Sequence, residues 1–250
     1  MAGHNKWSKV KRLKGALDAK RGKIFSRLAK EISVAARMGG SDPGSNARLR
    51  SAVLAARAQN MPNDNIDRAI KRGSGELGGE HYEESIYEGY APGGVAVLVE
   101  VATDNKNRTA ADLRLIFTKN HGNFATSGSV AYLFQRKGQI AVPADSISED
   151  QLMELVLDTG AEELTSDTDF HMVLTSPDQL YAVGEALKTA GVAIESQKLV
   201  FIPGNTVEVS DEHVASQVLH LCDALEDCDD VQNVYANFEI PEDILAKVSA

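Results

Sequence analysis

From Ile24 onward, apolar residues recur every fourth position: Ile24, Leu28 and Ile32, continued by Ala35 and Ala36, while Arg27, Lys30, Glu31 and Arg37 fall off the stripe. That spacing belongs to a helix with one buried face and predicts a helix over 22–39. Gly39-Gly40 and then Pro43 end it, because glycine accepts the left-handed cap and proline cannot extend the hydrogen-bond ladder. Leu49, Val53, Leu54 and Ala56 predict a second helix from about Asn46 to Asn60, broken by MPNDN. Asp64 is placed to cap a third, with Ile66 and Ile70 inward and Gly73 as its terminator. These helices, with no strand pattern among them, predict a small helical domain over 22–75.

The stretch GSGELGGE (73–80) reads as a flexible link, and beyond it the period changes. ESIYEGYAPGGVAVLVEVATD predicts two strands around a turn at Pro92-Gly93-Gly94. NRTAADLRLIFTKNHG predicts a capped helix ended by Gly122. Strands and helices then alternate: GSVAYLFQRKGQIAVP, SEDQLMELVLDTGA, TDFHMVLTS, PDQLYAVGEALKTAG, ESQKLVFIPGNTVEVS, DEHVASQVLHLCDALED and VQNVYANFEI. Short strands among longer helices are α+β or α/β material. The pieces over 134–203 make β-α-β-α-β, enough for one split βαβ unit. The expected fold is therefore α+β. A helical domain precedes two small α+β domains, one over 80–133 plus 204–240 and the other, 134–203, inserted into it.

Charge changes this picture. The 250 residues carry a formal net charge of −10. Residues 1–75 hold 17 Lys and Arg against 5 Asp and Glu, a formal +12, and residues 76–250 hold 9 against 31, a formal −22. Such segregation points to a polyanion for the basic part, with the acidic part repelled from it. No apolar run approaches the roughly 18 residues of a membrane span, and the basic start lacks the apolar stretch of a secretory signal. Cys222 and Cys228 lack CxxC spacing and predict reduced thiols of a cytoplasmic protein.

The densest basic stretch is GHNKWSKVKRLKGALDAKRGKIF (3–25). On a helical wheel Trp7, Val10, Leu13 and Leu17 share an arc of roughly 120°, with Lys9, Lys11 and Arg12 elsewhere and Lys14 on its rim. Gly15 weakens such a helix, so residues 1–21 read as a basic arm that orders on a partner. Lys6, Lys9, Lys11, Arg12, Lys14, Lys20, Arg21 and Lys23 are candidate phosphate ligands, and Trp7 can stack on an unpaired base or pack on its own domain. Arg27, Arg48 and Arg50 extend the candidate nucleic-acid-binding set into the helical domain, where Lys30, Arg37, Arg57, Arg68, Lys71 and Arg72 add to the basic face. No zinc-finger spacing, zipper heptad or RNA-recognition aromatic motif is present, so no direct reading of bases is legible.

Enzyme chemistry has one candidate stretch, TDNKNRTAADLR, where Asp104, Asn105, Asn107, Arg108 and Thr109 join a strand to a helix. Such junctions bind phosphate or metal through helix N-terminal amides, yet these residue types are equally good turn and cap formers, with Arg108 tying the turn down. APGGVA lacks the GK[ST] of a phosphate loop, the six histidines lack HExxH spacing, and GxSxG is absent. The expectation is a non-enzyme with no cofactor, no metal, no membrane partner and no small-molecule substrate.

AGHNKWSKVKRLKGALDAKRGKIF resembles the opening signature of the YebC/PmpR family, as do NMPNDNIDRAIKRG, YEGYAPGGVAVLVEVATDNKNRTAADLR and GSVAYLF, in the same order along nearly the whole chain. The resemblance implies three domains, a helical one and two α+β ones, one of them ferredoxin-like. It implies a cytoplasmic DNA-binding transcriptional regulator. A mitochondrial relative is similar to a translational activator of cytochrome c oxidase, so the alternative is a ribosome-associated translation factor that binds rRNA. No enzyme activity or cofactor comes with it.

If the arm contacts six to ten phosphates, the log–log salt dependence of duplex affinity has a slope of about −5 to −9. Removing residues 1–21 flattens that slope. A salt titration of the full-length and shortened proteins checks this, and identical slopes contradict it.

Overall fold

The computed structural model describes residues 17–78 and 81–249, with side chains from Gly22 to Val248. Two compact units emerge, Met1–Phe134 with Pro203–Ala250, and Gln135–Ile202. No helix among the described residues is long and apolar enough to cross a membrane.

The first unit opens with three helices, α1 (Leu17–Gly39), α2 (Ala47–Ala58) and α3 (Asn63–Ser74). The α1 helix already includes Leu17–Arg21, ahead of the expected start at 22, because Leu, Ala, Lys and Arg there are good helix formers. Ile32, Ala35, Ala36, Leu49, Ala52, Val53, Ala56, Met61, Ile66 and Ala69 form the core of this bundle. Two residues expected to face inward do not. Ile24 is 37% exposed, because a strict four-residue repeat drifts about 40° per step around a 3.6-residue helix. Leu54 is 48% exposed, because Val53, about 100° away, takes the core position.

Capping also departs from the sequence pattern. Asn46 caps α2 by accepting from the Leu49 amide at 3.0 Å, and its amide donates to the Ala35 and Gly40 carbonyls at 2.8 Å each. Asp64 lies inside the first turn of α3, whose N-cap is Pro62 in an extended conformation. Gly75, with φ 84°, closes α3 in the left-handed region, so Gly73 is not its terminator. A Cβ on Gly73 would stand 2.2 Å from the Ser33 carbonyl oxygen, so this glycine allows α1 and α3 to touch backbone to backbone.

The α+β part of this unit holds β1 (Glu83–Ala91), β2 (Val95–Thr103), α4 (Lys106–Lys119), β3 (Asn123–Ala125), α7 (Glu212–Glu226) and β9 (Val231–Ala236), with the sheet ordered β3-β1-β2-β9. Strand β1 pairs antiparallel with β2 and β3, and β2 pairs antiparallel with β9, with an irregularity at Glu100/Val101. Val95, Val97, Val99 and Val101 pack with Leu113 and Phe117 of α4 and with Leu221 and Leu225 of α7. Ala96, Leu98 and Ala102 on the other face are buried too, and α1 packs against β2. Buried Glu88 accepts the amides of Gly128, Val130 and Ala131 at 2.6, 2.6 and 2.8 Å. Burial works against its charge, but those amides outweigh burial and hold it below the usual carboxylate range.

Gln135–Ile202 carries β4 (Phe134–Pro143), α5 (Glu149–Val156), β5 (Ala161–Ser166), β6 (Phe170–Thr175), α6 (Leu180–Thr189) and β7 (Ser196–Pro203), in sheet order β5-β6-β4-β7. This is the β-α-β-β-α-β ferredoxin-like arrangement. Strand β5 is absent from the sequence pattern, because AEELTS is an edge strand with two glutamates whose apolar residues, Ala161 and Leu164, do not alternate and reach the core only through an irregularity at Ala161/Glu163. The expected single strand through ESQKLVFIPGNTVEVS breaks after Pro203, and its remainder, β8 (Val207–Glu208), pairs in parallel with β10 (Phe238–Glu239). A final helix, α8 (Glu242–Ser249), adds Ile244, Leu245 and Val248 to the first unit's core.

Gly73→Ala is expected to destabilise the protein by about 2 kcal/mol or more, because the added methyl meets backbone. Gly22→Ala, where a Cβ meets nothing within 4 Å, is expected to stabilise it by about 0.5–1 kcal/mol. Thermal unfolding of the pair tests both signs.

Candidate nucleic-acid interface

Lys23, Arg27 and Lys30 are spaced four and three apart, so they share one side of α1. That side meets the C-terminal end of α7, where unpaired carbonyls and a run of acidic residues concentrate negative charge. Lys23 Nζ donates to Asp227 Oδ1 at 2.7 Å and to the Asp227 carbonyl at 3.2 Å. Arg27 donates to the Glu226 carbonyl. Burial lowers the Arg27 pKa, although Asp227 and Asp229 oppose the shift. Lys30 Nζ donates to Asp230 Oδ1 at 2.7 Å and to the Asp229 carbonyl at 2.8 Å. Lys30 and Asp230 are both buried, at 6% exposure each.

Asp230 is also where the TDNKNRT stretch ends up. It accepts from Thr109 Oγ1 at 2.7 Å, Arg108 Nη2 at 3.0 Å and Thr103 Oγ1 at 3.2 Å. Burial pushes its pKa up, but the hydrogen bonds from Lys30, Thr109 and Arg108 outweigh burial and bring it down to about 2. Asn105 caps α4 by accepting the Arg108 amide at 3.1 Å, and Arg108 also reaches Asp104 at 2.8 Å. These contacts hold the Arg108 guanidinium firmly charged, with Asp230 the largest cause. The stretch is thus a capped junction tied to a buried carboxylate. Among the described residues no group of three or more His, Cys, Asp or Glu is placed to hold a metal.

The other predicted phosphate ligands are engaged as well. Arg48 pairs with Glu31 through Nε at 2.8 Å and Nη2 at 2.9 Å, and reaches Glu84 at the start of β1. Burial would lower its pKa, but the two carboxylates raise it. Arg50 Nη1 donates to the carbonyls of Pro43 and Gly44 at 3.1 and 3.0 Å. Lys6, Trp7, Lys9, Lys11, Arg12 and Lys14, and the side chains of Lys20 and Arg21, lie outside the described residues. The structure therefore brings Lys23 and Arg27 together on the body's own acids and places Arg48 and Arg50 apart from them.

Exposed cations stand elsewhere in the bundle. Arg68, Lys71 and Arg72 cluster on the outer side of α3, and Arg57 sits in the last turn of α2. Arg72 Nη1 reaches Tyr82 Oη at 3.2 Å, with its guanidinium 5.6 Å from the ring centre. Asp230 and Tyr82 are the residues that sequence reasoning missed. The run DCDD (227–230) held a signal for Asp230, since an acidic cluster closing a helix needs donors, but their source lies about 200 residues away.

A helical bundle joined to an antiparallel sheet, with an inserted ferredoxin-like unit and cations gathered on the bundle, defines a two-unit α+β protein with a basic end. Residues 5–76 match the TACO1/YebC protein N-terminal domain, and residues 82–238 match the TACO1/YebC second and third domain. The chain is 54% identical over 249 residues to a probable transcriptional regulatory protein of Desulfotalea psychrophila, covering 100% of each. It is 52% identical to a probable transcriptional regulatory protein of Aquifex aeolicus, covering 99% of this chain and 100% of that one. A crystal structure of a conserved hypothetical protein from Aquifex aeolicus superimposes with a TM-score of 0.85 at 53% identity, over 91% of this chain and 94% of that one. The chain belongs to the TACO1/YebC family.

Because the Asp230 carboxyl is depressed from 3.8 to about 2, its contribution is complete above the unfolded value and is lost as pH falls through the folded one. It amounts to about 2 kcal/mol. Asp230→Asn leaves Lys30 buried without its counter-ion and is expected to cost about 3 kcal/mol at neutral pH. Denaturant melts of both proteins should show this gap narrowing between about pH 4 and pH 2. A gap independent of pH contradicts the assignment.

Proposed function

We propose that the protein is a nucleic-acid-binding regulator, and specifically a cytoplasmic, DNA-binding regulator of transcription. The observation that carries the reading is the split of charge, +12 over residues 1–75 against −22 over the remainder, which survives folding as exposed cations on α2 and α3. Lys23, Arg27 and Lys30 spend their charge on Glu226–Asp230, so the contact face consists of Arg57, Arg68, Lys71 and Arg72 together with the basic arm. Backbone phosphates are the natural ligands of such a face, and the acidic body keeps the polyanion to one end. Relatives named as probable transcriptional regulatory proteins, at 52–54% identity over the full length, support a regulatory role. The reading assigns no reaction and no cofactor.

Binding to a labelled promoter-length duplex at physiological salt tests it, beside co-sedimentation with ribosomes. Saturable duplex binding is expected, and the double variant Arg57→Ala with Lys71→Ala should flatten the salt slope by about 2. Ribosome association without duplex binding would replace the transcriptional reading with the rRNA-binding one.

A further inference from the structure

A cleft of about 600 Å³ opens between α1, α3 and Tyr82. Ala29, Met61 and Ala69 form its apolar side, and Asn65, Arg68 and Arg72 line up along α3 at its other side. Among the described residues that line it there is no Asp or Glu. Lys30 at its base is matched by Asp230, so Arg68 and Arg72 supply the unmatched charge. They stand one turn apart, and neither forms an ion pair among the described residues. Arg72 lies against the Tyr82 ring, which fixes the guanidinium and leaves most of its donors for a ligand.

We propose that this cleft receives one unpaired nucleotide of a nucleic-acid strand. The inference rests on the nucleic-acid reading above and names the form of ligand it involves. The volume lies in the range of small-molecule sites, about 300–1,000 Å³, and is larger than a bare phosphate needs. An apolar wall beside an aromatic ring suits the flat face of a base, and two guanidiniums suit its phosphate. The lack of carboxylates disfavours a cationic ligand. Asn65 offers both a donor and an acceptor to a base edge. A base stacked inside a duplex cannot enter a cleft, so the nucleotide is unpaired or flipped.

The test compares a labelled oligothymidylate single strand with a blunt duplex of the same length, each titrated with the full-length protein. Two variants probe the cleft. Arg68→Glu reverses charge on an exposed position, and Asn65→Trp fills the space from a half-buried position while keeping every cation. Asn65→Trp is expected to weaken the single strand about tenfold or more and to change duplex affinity less than about threefold, whereas Arg68→Glu, which also removes a cation of the contact face, is expected to weaken both probes, the single strand more than the duplex. Arg57→Glu, outside the cleft, should weaken the two probes alike. If Asn65→Trp leaves single-strand affinity unchanged, or lowers both probes equally, the cleft proposal is overturned while the nucleic-acid reading stands. If the wild-type protein binds neither probe, both fall. Thymidine monophosphate that displaces the strand identifies a free nucleotide as the ligand of the same cleft, and its failure to compete assigns the site to the strand.

Discussion

A carboxylate that is 6% exposed cannot stay ionised without donors around it, and Asp230 draws its donors from three directions. Lys30 comes from α1, Thr103 from the end of β2, and Arg108 with Thr109 from the first turn of α4. Each of these elements must arrive in place for the charge to be matched, so the helical bundle meets the sheet in one register. Buried ion pairs contribute little net stability, because desolvation offsets most of the attraction. Their larger effect here is to penalise any other packing of the bundle, which would strand Lys30 or Asp230 without a partner.

That register decides which cations are left for a ligand. Bringing Lys30 to Asp230 lays Arg27 and Lys23 along the last turn of α7, where carbonyls and Asp227 absorb their charge. Arg48 is similarly held between Glu31 and Glu84. The acidic body is thus more than a repelling half, since it neutralises the inner side of the basic bundle. The outer side, with Arg57, Arg68, Lys71 and Arg72, keeps its charge toward solvent.

Close approach is the second condition for the cleft. α1 and α3 converge because Gly73 has no side chain to hold them apart at Ser33, and Ser33 Oγ donates across the contact to the Ala69 carbonyl at 2.8 Å. Farther along the same pair of helices Ala29 and Ala69 leave space, which Arg68, Arg72 and Tyr82 border with polar groups. A family fold shared at 52–54% identity fixes the scaffold, while the chemistry of a site has to be argued from its side chains.

Local pattern by itself determined the three helices, the hairpin around Pro92-Gly93-Gly94, the α+β class and the split of charge, because each depends on periodicity, turn residues or simple counting. It also determined that TDNKNRT caps a helix, since Asn105 acts on its immediate neighbours. Strand β3 has too few residues to show a period and β5 has no regular alternation, so only their pairing at a sheet edge and their packing on a core mark them as strands. Only the tertiary structure decided that Lys30 is buried and that Lys23, Arg27 and Arg48 are matched internally. A charged residue's fate depends on a partner about 200 positions away, and no local pattern encodes that distance. The same holds for Gly73, which in sequence marks a helix end and in the fold is the point where two backbones touch.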